Sequence, residues 1–81
     1  MDRSKLELQV KEVMADILDI DLDGIDQSTV KDHVASWDSI NHVKLVVALE
    51  EEFQVSFEVT DIESMLSFSD IVDKLQDKLR P

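Results

Sequence analysis

The sequence predicts an all-α protein: a four-helix bundle with three longer helices, one short third helix and a long loop between the first and second. Three observations carry this prediction. Apolar residues recur at steps of three and four in the first, middle and last parts of the chain. Only one Gly and one Pro occur in 81 residues, so little interrupts the helices. The one segment with a strand-like alternation, Phe53, Val55, Phe57 and Val59, has no second strand to pair with and reads as a loop that buries apolar side chains. At 9.3 kDa the chain is read as a single domain over residues 1–81. A domain of that size buries only roughly 60% of the surface its unfolded chain exposes, which leaves little room for an enclosed active site.

The first helix is expected over residues 3–18, where Leu6, Val10, Val13, Met14, Ile17 and Leu18 form one apolar face. Asp19 to Asp38 holds the only Gly and is rich in Asp, Ser and Thr, so it reads as a long loop with room for one short turn. Loops of that length usually serve a function or cross between distant helices. The second helix is expected from Ser39 to Phe53, ending near Gln54, because no Gly or Pro interrupts it and Ala48, Leu49 and Glu50 to Glu52 are good helix formers. Thr60-Asp61-Ile62-Glu63 has the form of a capping box and predicts a short third helix running to about Met65 or Leu66. Ser67-Phe68-Ser69-Asp70 repeats that form and opens the fourth. Its apolar face is Phe68, Ile71, Val72, Leu75 and Leu79, with Lys74, Lys78 and Arg80 near the end where the helix dipole favours cations.

Nineteen acidic residues against eight basic ones give a net charge of −11, which opposes binding to nucleic-acid phosphates or anionic membrane surfaces and favours partners with basic patches. Cysteine is absent, which excludes disulfides, thiolate metal sites and a thiol nucleophile of the chain's own. Any thiol chemistry has to use an imported sulfur. No apolar run approaches the roughly 20 residues that span a bilayer, and Met1-Asp2-Arg3-Ser4-Lys5 leads into no signal core, so a cytoplasmic monomer is expected.

Asp19-Ile20-Asp21-Leu22-Asp23-Gly24 matches the opening of a calcium-binding EF-hand loop. The rest of that pattern fails, because Asp26 falls where an aliphatic residue is usual and Val30 where a bidentate Glu closes the site. The segment reads as a solvated acidic loop, and no metal site is expected. His33 and His42 lack a third ligand at suitable spacing. On the second helix, His42, Val46, Leu49 and Phe53 share the core-facing stripe, so His42 reads as a packed histidine. Asp38, Ser39 and His42 supply the residue types of a hydrolytic triad, but nothing suggests an oxyanion hole or a pocket that excludes water, so no enzyme activity is expected.

A second stripe, Ile40, Lys44, Val47 and Glu51, lies away from the core stripe and reads as a docking face rimmed by Glu50, Glu51 and Glu52. Between Leu45 and Asp73 there is no Lys or Arg, and the carboxylates of that stretch would attract a basic partner surface.

At Trp37-Asp38-Ser39-Ile40, followed by Val43, Leu45 to Val47 and Ala48-Leu49-Glu50-Glu51-Glu52-Phe53, the chain closely resembles the acyl carrier proteins, and the likeness spans all four predicted helices. The resemblance implies a carrier, not an enzyme. Ser39 matches the serine that a phosphopantetheinyl transferase modifies with 4′-phosphopantetheine from coenzyme A. The first turn of a helix suits this, since its free N–H groups and dipole favour a phosphate by about 0.3–1 kcal/mol. Asp38 matches the aspartate before that serine, and Ile40, Lys44, Val47, Glu50 and Glu51 match positions that meet partner enzymes. Val43, Val46, Leu49, Phe53, Ile62 and Met65 match positions between which an acyl chain can fold back, and all six could equally be core.

The partners this implies are the transferase, an acyl-loading ligase or transferase, and a ketosynthase or other biosynthetic enzyme with a basic patch. The pathway could be fatty-acid, polyketide or a specialised one. The departures, Lys44 in place of an acid, Ile40 in place of Leu, and Ser36-Trp37 in place of Gly and a small residue, are similar to specialised stand-alone carriers. An aminoacyl or peptidyl carrier, or an unmodified acidic adaptor, is the alternative.

Overall fold

In the computed structural model, which describes residues 2–80, four α-helices follow in order: α1 (Arg3–Leu18), α2 (Ser39–Phe53), α3 (Val59–Ser64) and α4 (Phe68–Leu79). Met1 and Pro81, the ends of the expected 1–81 domain, lie outside the described residues. The first two helices have the predicted bounds. Among the described residues the only β pairing is a single bridge between Val30 and Ser67.

α1 presents Leu6, Val10, Met14 and Leu18 to the interior, each at most 1% exposed, while Val13 and Ile17 flank that ridge half-buried. It packs against both α2 and α4. α2 contributes His42, Leu45, Val46, Leu49 and Phe53, and α4 contributes Phe68, Ile71, Val72 and Leu75. Connecting segments complete the core with Ile25, Trp37, Phe57 and Met65. These interdigitated apolar side chains supply the main favourable term, about 25 cal/mol per Å² removed from water.

Both longer N-terminal helices end in the left-handed region without glycine. Asp19 (φ 54°) and Gln54 (φ 57°) each donate their N–H to the carbonyl four residues back, and the next amide reaches the same carbonyl. The pattern reverses the chain direction at a cost of roughly 1–2 kcal/mol per non-glycine residue. After the second reversal Phe57 returns to the core, whereas Val59 is 71% exposed and begins α3 instead of burying with its neighbours.

The connection from Asp19 to Asp38 contains two short 3₁₀ turns, Leu22–Gly24 and Lys31–His33, one more than the sequence suggested. It is pinned where local chemistry allows. The Asp26 carboxylate accepts from both the hydroxyl and the N–H of Ser28, which lowers its pKa. The Lys31 N–H donates to the Leu66 carbonyl and the Phe68 N–H to the Thr29 carbonyl, tying the loop to the start of α4.

α3 starts earlier than its expected box. Its N-cap is Glu58, whose side chain accepts from the Asp61 N–H while the Asp61 carboxylate accepts from the Glu58 N–H at 3.0 Å. The reciprocal pair is therefore Glu58 and Asp61, not Thr60 and Glu63. Asp61 also meets Lys74 at 3.2 Å and Lys78 at 3.3 Å, so α4 holds α3 by its first turn. α4 itself begins as expected: the Ser67 hydroxyl accepts from the Asp70 N–H at 3.0 Å. The Asp70 carboxylate reaches the Leu66 N–H rather than that of the cap.

Candidate functional site

The start of α2 is built from its preceding loop. Asp38 is the N-cap, and its carboxylate accepts the Asn41 N–H at 2.8 Å. The Asn41 side-chain amide donates back to the Ser36 carbonyl at 2.7 Å. Trp37 is driven into the core, 2% exposed, and its indole N–H donates to His42 Nδ1 at 2.9 Å. Because an indole can only donate, His42 Nδ1 accepts and Nε2 carries the hydrogen, which is given to the Ile62 carbonyl of α3 at 2.9 Å. Three hydrogen bonds thus fix the segment before Ser39 to α2, and a fourth, from His42, ties that end of α2 to α3.

Ser39, the first residue of α2, is exposed. The capping bond uses the Asn41 amide, and the His42 amide bonds the Asp38 carbonyl. The amides of Ser39 and Ile40 have no acceptor among the described residues. A solvent-facing hydroxyl beside two free helix amides is suited to carrying a phosphodiester. The hydrolytic alternative fails on geometry, since Asp38 is spent on the cap and both ring nitrogens of His42 are engaged in the interior.

The second stripe of α2 faces outward: Ile40 is 69% exposed, Val47 47%, and Lys44 and Glu51 are also exposed. Glu50 is different. It is half-buried, and its carboxylate accepts the Phe57 N–H at 2.8 Å, so it orders the loop after α2. Of the residues matched to an acyl-chain site, Val46, Leu49, Phe53 and Met65 lie in the core and Ile62 packs against it, while Val43 stands on the outer face at 58% exposure. The sequence reading missed Trp37 and Asn41 as supports of Ser39. A lone Trp beside the Asp-Ser pair was the available signal for the first.

Asp19, Asp21 and Asp23 are exposed, and among the described residues no three His, Asp or Glu side chains converge to hold a metal ion. None of the described helices is long and apolar enough to cross a membrane.

A small helical bundle that offers an exposed, rigidly held hydroxyl at a helix start is a platform for a covalently attached group. The comparisons with known proteins agree. The family described as phosphopantetheine attachment site matches residues 9–75. An acyl carrier protein of Campylobacter jejuni subsp. doylei is 34% identical over 79% of this chain and 83% of its own. One from Thermosynechococcus vestitus is 29% identical over 98% of both chains. A third, from Campylobacter curvus, is 30% identical over 83% of this chain and 87% of its own. The chain belongs to the acyl carrier protein family. It is a carrier rather than an enzyme, works with covalent 4′-phosphopantetheine, and interacts with a phosphopantetheinyl transferase and with biosynthetic enzymes.

Proposed function

We propose that Ser39 is the attachment point and that this protein is a cytoplasmic carrier dedicated to a specialised biosynthetic pathway. The single observation that carries the attachment is the exposed Ser39 hydroxyl on the first turn of α2, beside the free amides of Ser39 and Ile40 and behind a loop stapled by Trp37, Asp38 and Asn41. When bound, the cofactor supplies the thiol that this cysteine-free chain lacks, and acyl groups are held on it as thioesters. The chain's own part is mechanical. α2 fixes where the tether begins, the acidic cap and the outward stripe of Ile40, Val47 and Glu51 orient an enzyme over it, and no side chain takes part in acyl transfer. Tethering of this kind raises the substrate concentration at a docked active site into roughly the millimolar range.

The test is intact-protein mass spectrometry after incubation with coenzyme A and a broad-specificity phosphopantetheinyl transferase. The expected result is a gain of one phosphopantetheinyl group by the wild type and none by Ser39→Ala, with both proteins equally folded. Modification of Ser39→Ala would move the attachment to another hydroxyl.

A further inference from the structure

Eight basic side chains stand against nineteen acidic ones in this chain, and the fold employs most of those it can. Arg3, Lys74, Lys78 and Arg80 form ion pairs, and Lys11 lies 5.7 Å from the centre of the Phe68 ring. Lys44 does neither. It is exposed halfway along α2 and pairs with no carboxylate among the described residues. The reason is in the sequence: the residues one helical turn away on either side are Ile40, Asn41, Val47 and Ala48, none of them acidic. Asp38 and Glu51 lie six and seven positions away, about 10 Å along the axis and near the screening length at physiological salt. Lys44 is therefore a local positive spot on a strongly negative molecule.

Its surroundings are apolar and open. Ile40, Val43 and Val47 are 69%, 58% and 47% exposed on the same side of α2. An enzyme that covers them also draws water away from Lys44, which stands among them in the helix sequence. A basic surface placed there meets like charge, and an apolar one leaves the ammonium without a partner, both unfavourable. A carboxylate, which both accepts its hydrogen bonds and cancels its charge, compensates it most fully, while Asp38, Glu51 and Glu52 at the ends of the stripe still call for a basic rim.

We propose that Lys44 is a specificity-determining residue: the cognate enzyme meets α2 with an apolar depression holding a carboxylate opposite Lys44 inside a basic rim, and an enzyme whose patch is basic throughout is refused. This rests on the reading of the outward stripe of α2 as the docking face. The probe is a fatty-acid ketosynthase with an all-basic docking patch, titrated at low salt with the phosphopantetheinylated wild type and with Lys44→Glu, Lys44→Gln and Val47→Asp. Lys44→Glu tightens binding about tenfold, Lys44→Gln by less, and Val47→Asp weakens it. Changing the patch arginines of the ketosynthase to glutamate one at a time then yields one variant that binds the wild type better and Lys44→Glu worse. Unchanged or weaker binding by Lys44→Glu together with a loss in Val47→Asp overturns the role of Lys44 and leaves the docking face standing. Unchanged binding in both variants overturns the docking face and the proposal with it.

Discussion

At the scale of single residues, the site depends on groups that no one-dimensional pattern connects. Periodicity put His42 on the buried stripe of α2, and the structure agrees at 8% exposure. Its partners were not legible, because the Trp37 indole arrives from a loop and the Ile62 carbonyl lies 20 residues on, both set by the tertiary path of the chain. Trp37→Phe keeps the aromatic packing and removes only the N–H, leaving His42 Nδ1 buried without a donor. It is expected to lower stability by about 1–3 kcal/mol, measured by urea unfolding. A change below 0.5 kcal/mol would mean that water or a ring flip satisfies the nitrogen. Glu50 shows the opposite failure. Its place in an acidic run made it look like a free rim charge, but the reversal at Gln54 carries the chain back so that the Phe57 N–H donates to it.

At the scale of elements, legibility followed how much local chemistry coincides. α1 and α2 were readable because apolar period and good helix formers agree and no Gly or Pro interrupts either. α3 was displaced because two hydroxyl-or-acid and acid pairs three residues apart, Thr60 with Glu63 and Glu58 with Asp61, compete in sequence. Lys74 and Lys78 favour the second pair by bonding Asp61 from α4. Accepting the Glu58 N–H, and to a lesser degree the two lysines, lowers the Asp61 pKa to about 2 against the opposing effect of partial burial. A carboxylate depressed on folding stabilises the native state above its unfolded pKa, near 4, and loses that contribution as pH falls through about 2. The wild type should therefore lose its stability advantage over Asp61→Asn between about pH 4 and pH 2, read from paired thermal melts. A gap that stays constant across that window would place the value of Asp61 in packing alone. The C-terminus of α1 offers the converse experiment. Asp19 has a positive φ and an acidic side chain at the negative end of the helix dipole, so Asp19→Gly relieves both and should stabilise by about 1 kcal/mol. A loss of stability there would show that the Asp19 side chain has a compensating role.

At the scale of the whole molecule, size and charge decide together. The fold spans 35 × 26 × 19 Å with a radius of gyration of 11.5 Å, close to the roughly 11.7 Å expected of a globular chain of this length. A charge of −11 is thus confined to a body comparable in size to the screening length of about 30 Å at 10 mM salt, so most carboxylates feel one another. At 1 M that length falls to about 3 Å, and only pairs in contact, such as Arg3 with Asp73 at 2.8 Å, retain much of their interaction. Of the five ion pairs among the described residues, those of Arg3 with Asp73 and Arg80 with Asp77 are exposed and contribute about 0–1 kcal/mol each, so long-range repulsion is the larger quantity that salt removes. Stability should accordingly rise from 10 mM to 1 M sodium chloride. A gain on the order of 1 kcal/mol corresponds to a melting temperature higher by about 4–8 °C for a domain this small. Calorimetry at both salt concentrations measures it directly, and a flat or falling melting temperature would mean that the Asp61 clamp and its companion pairs outweigh the repulsion. The same screening should weaken docking of basic enzymes, so the salt that firms the carrier loosens its complexes.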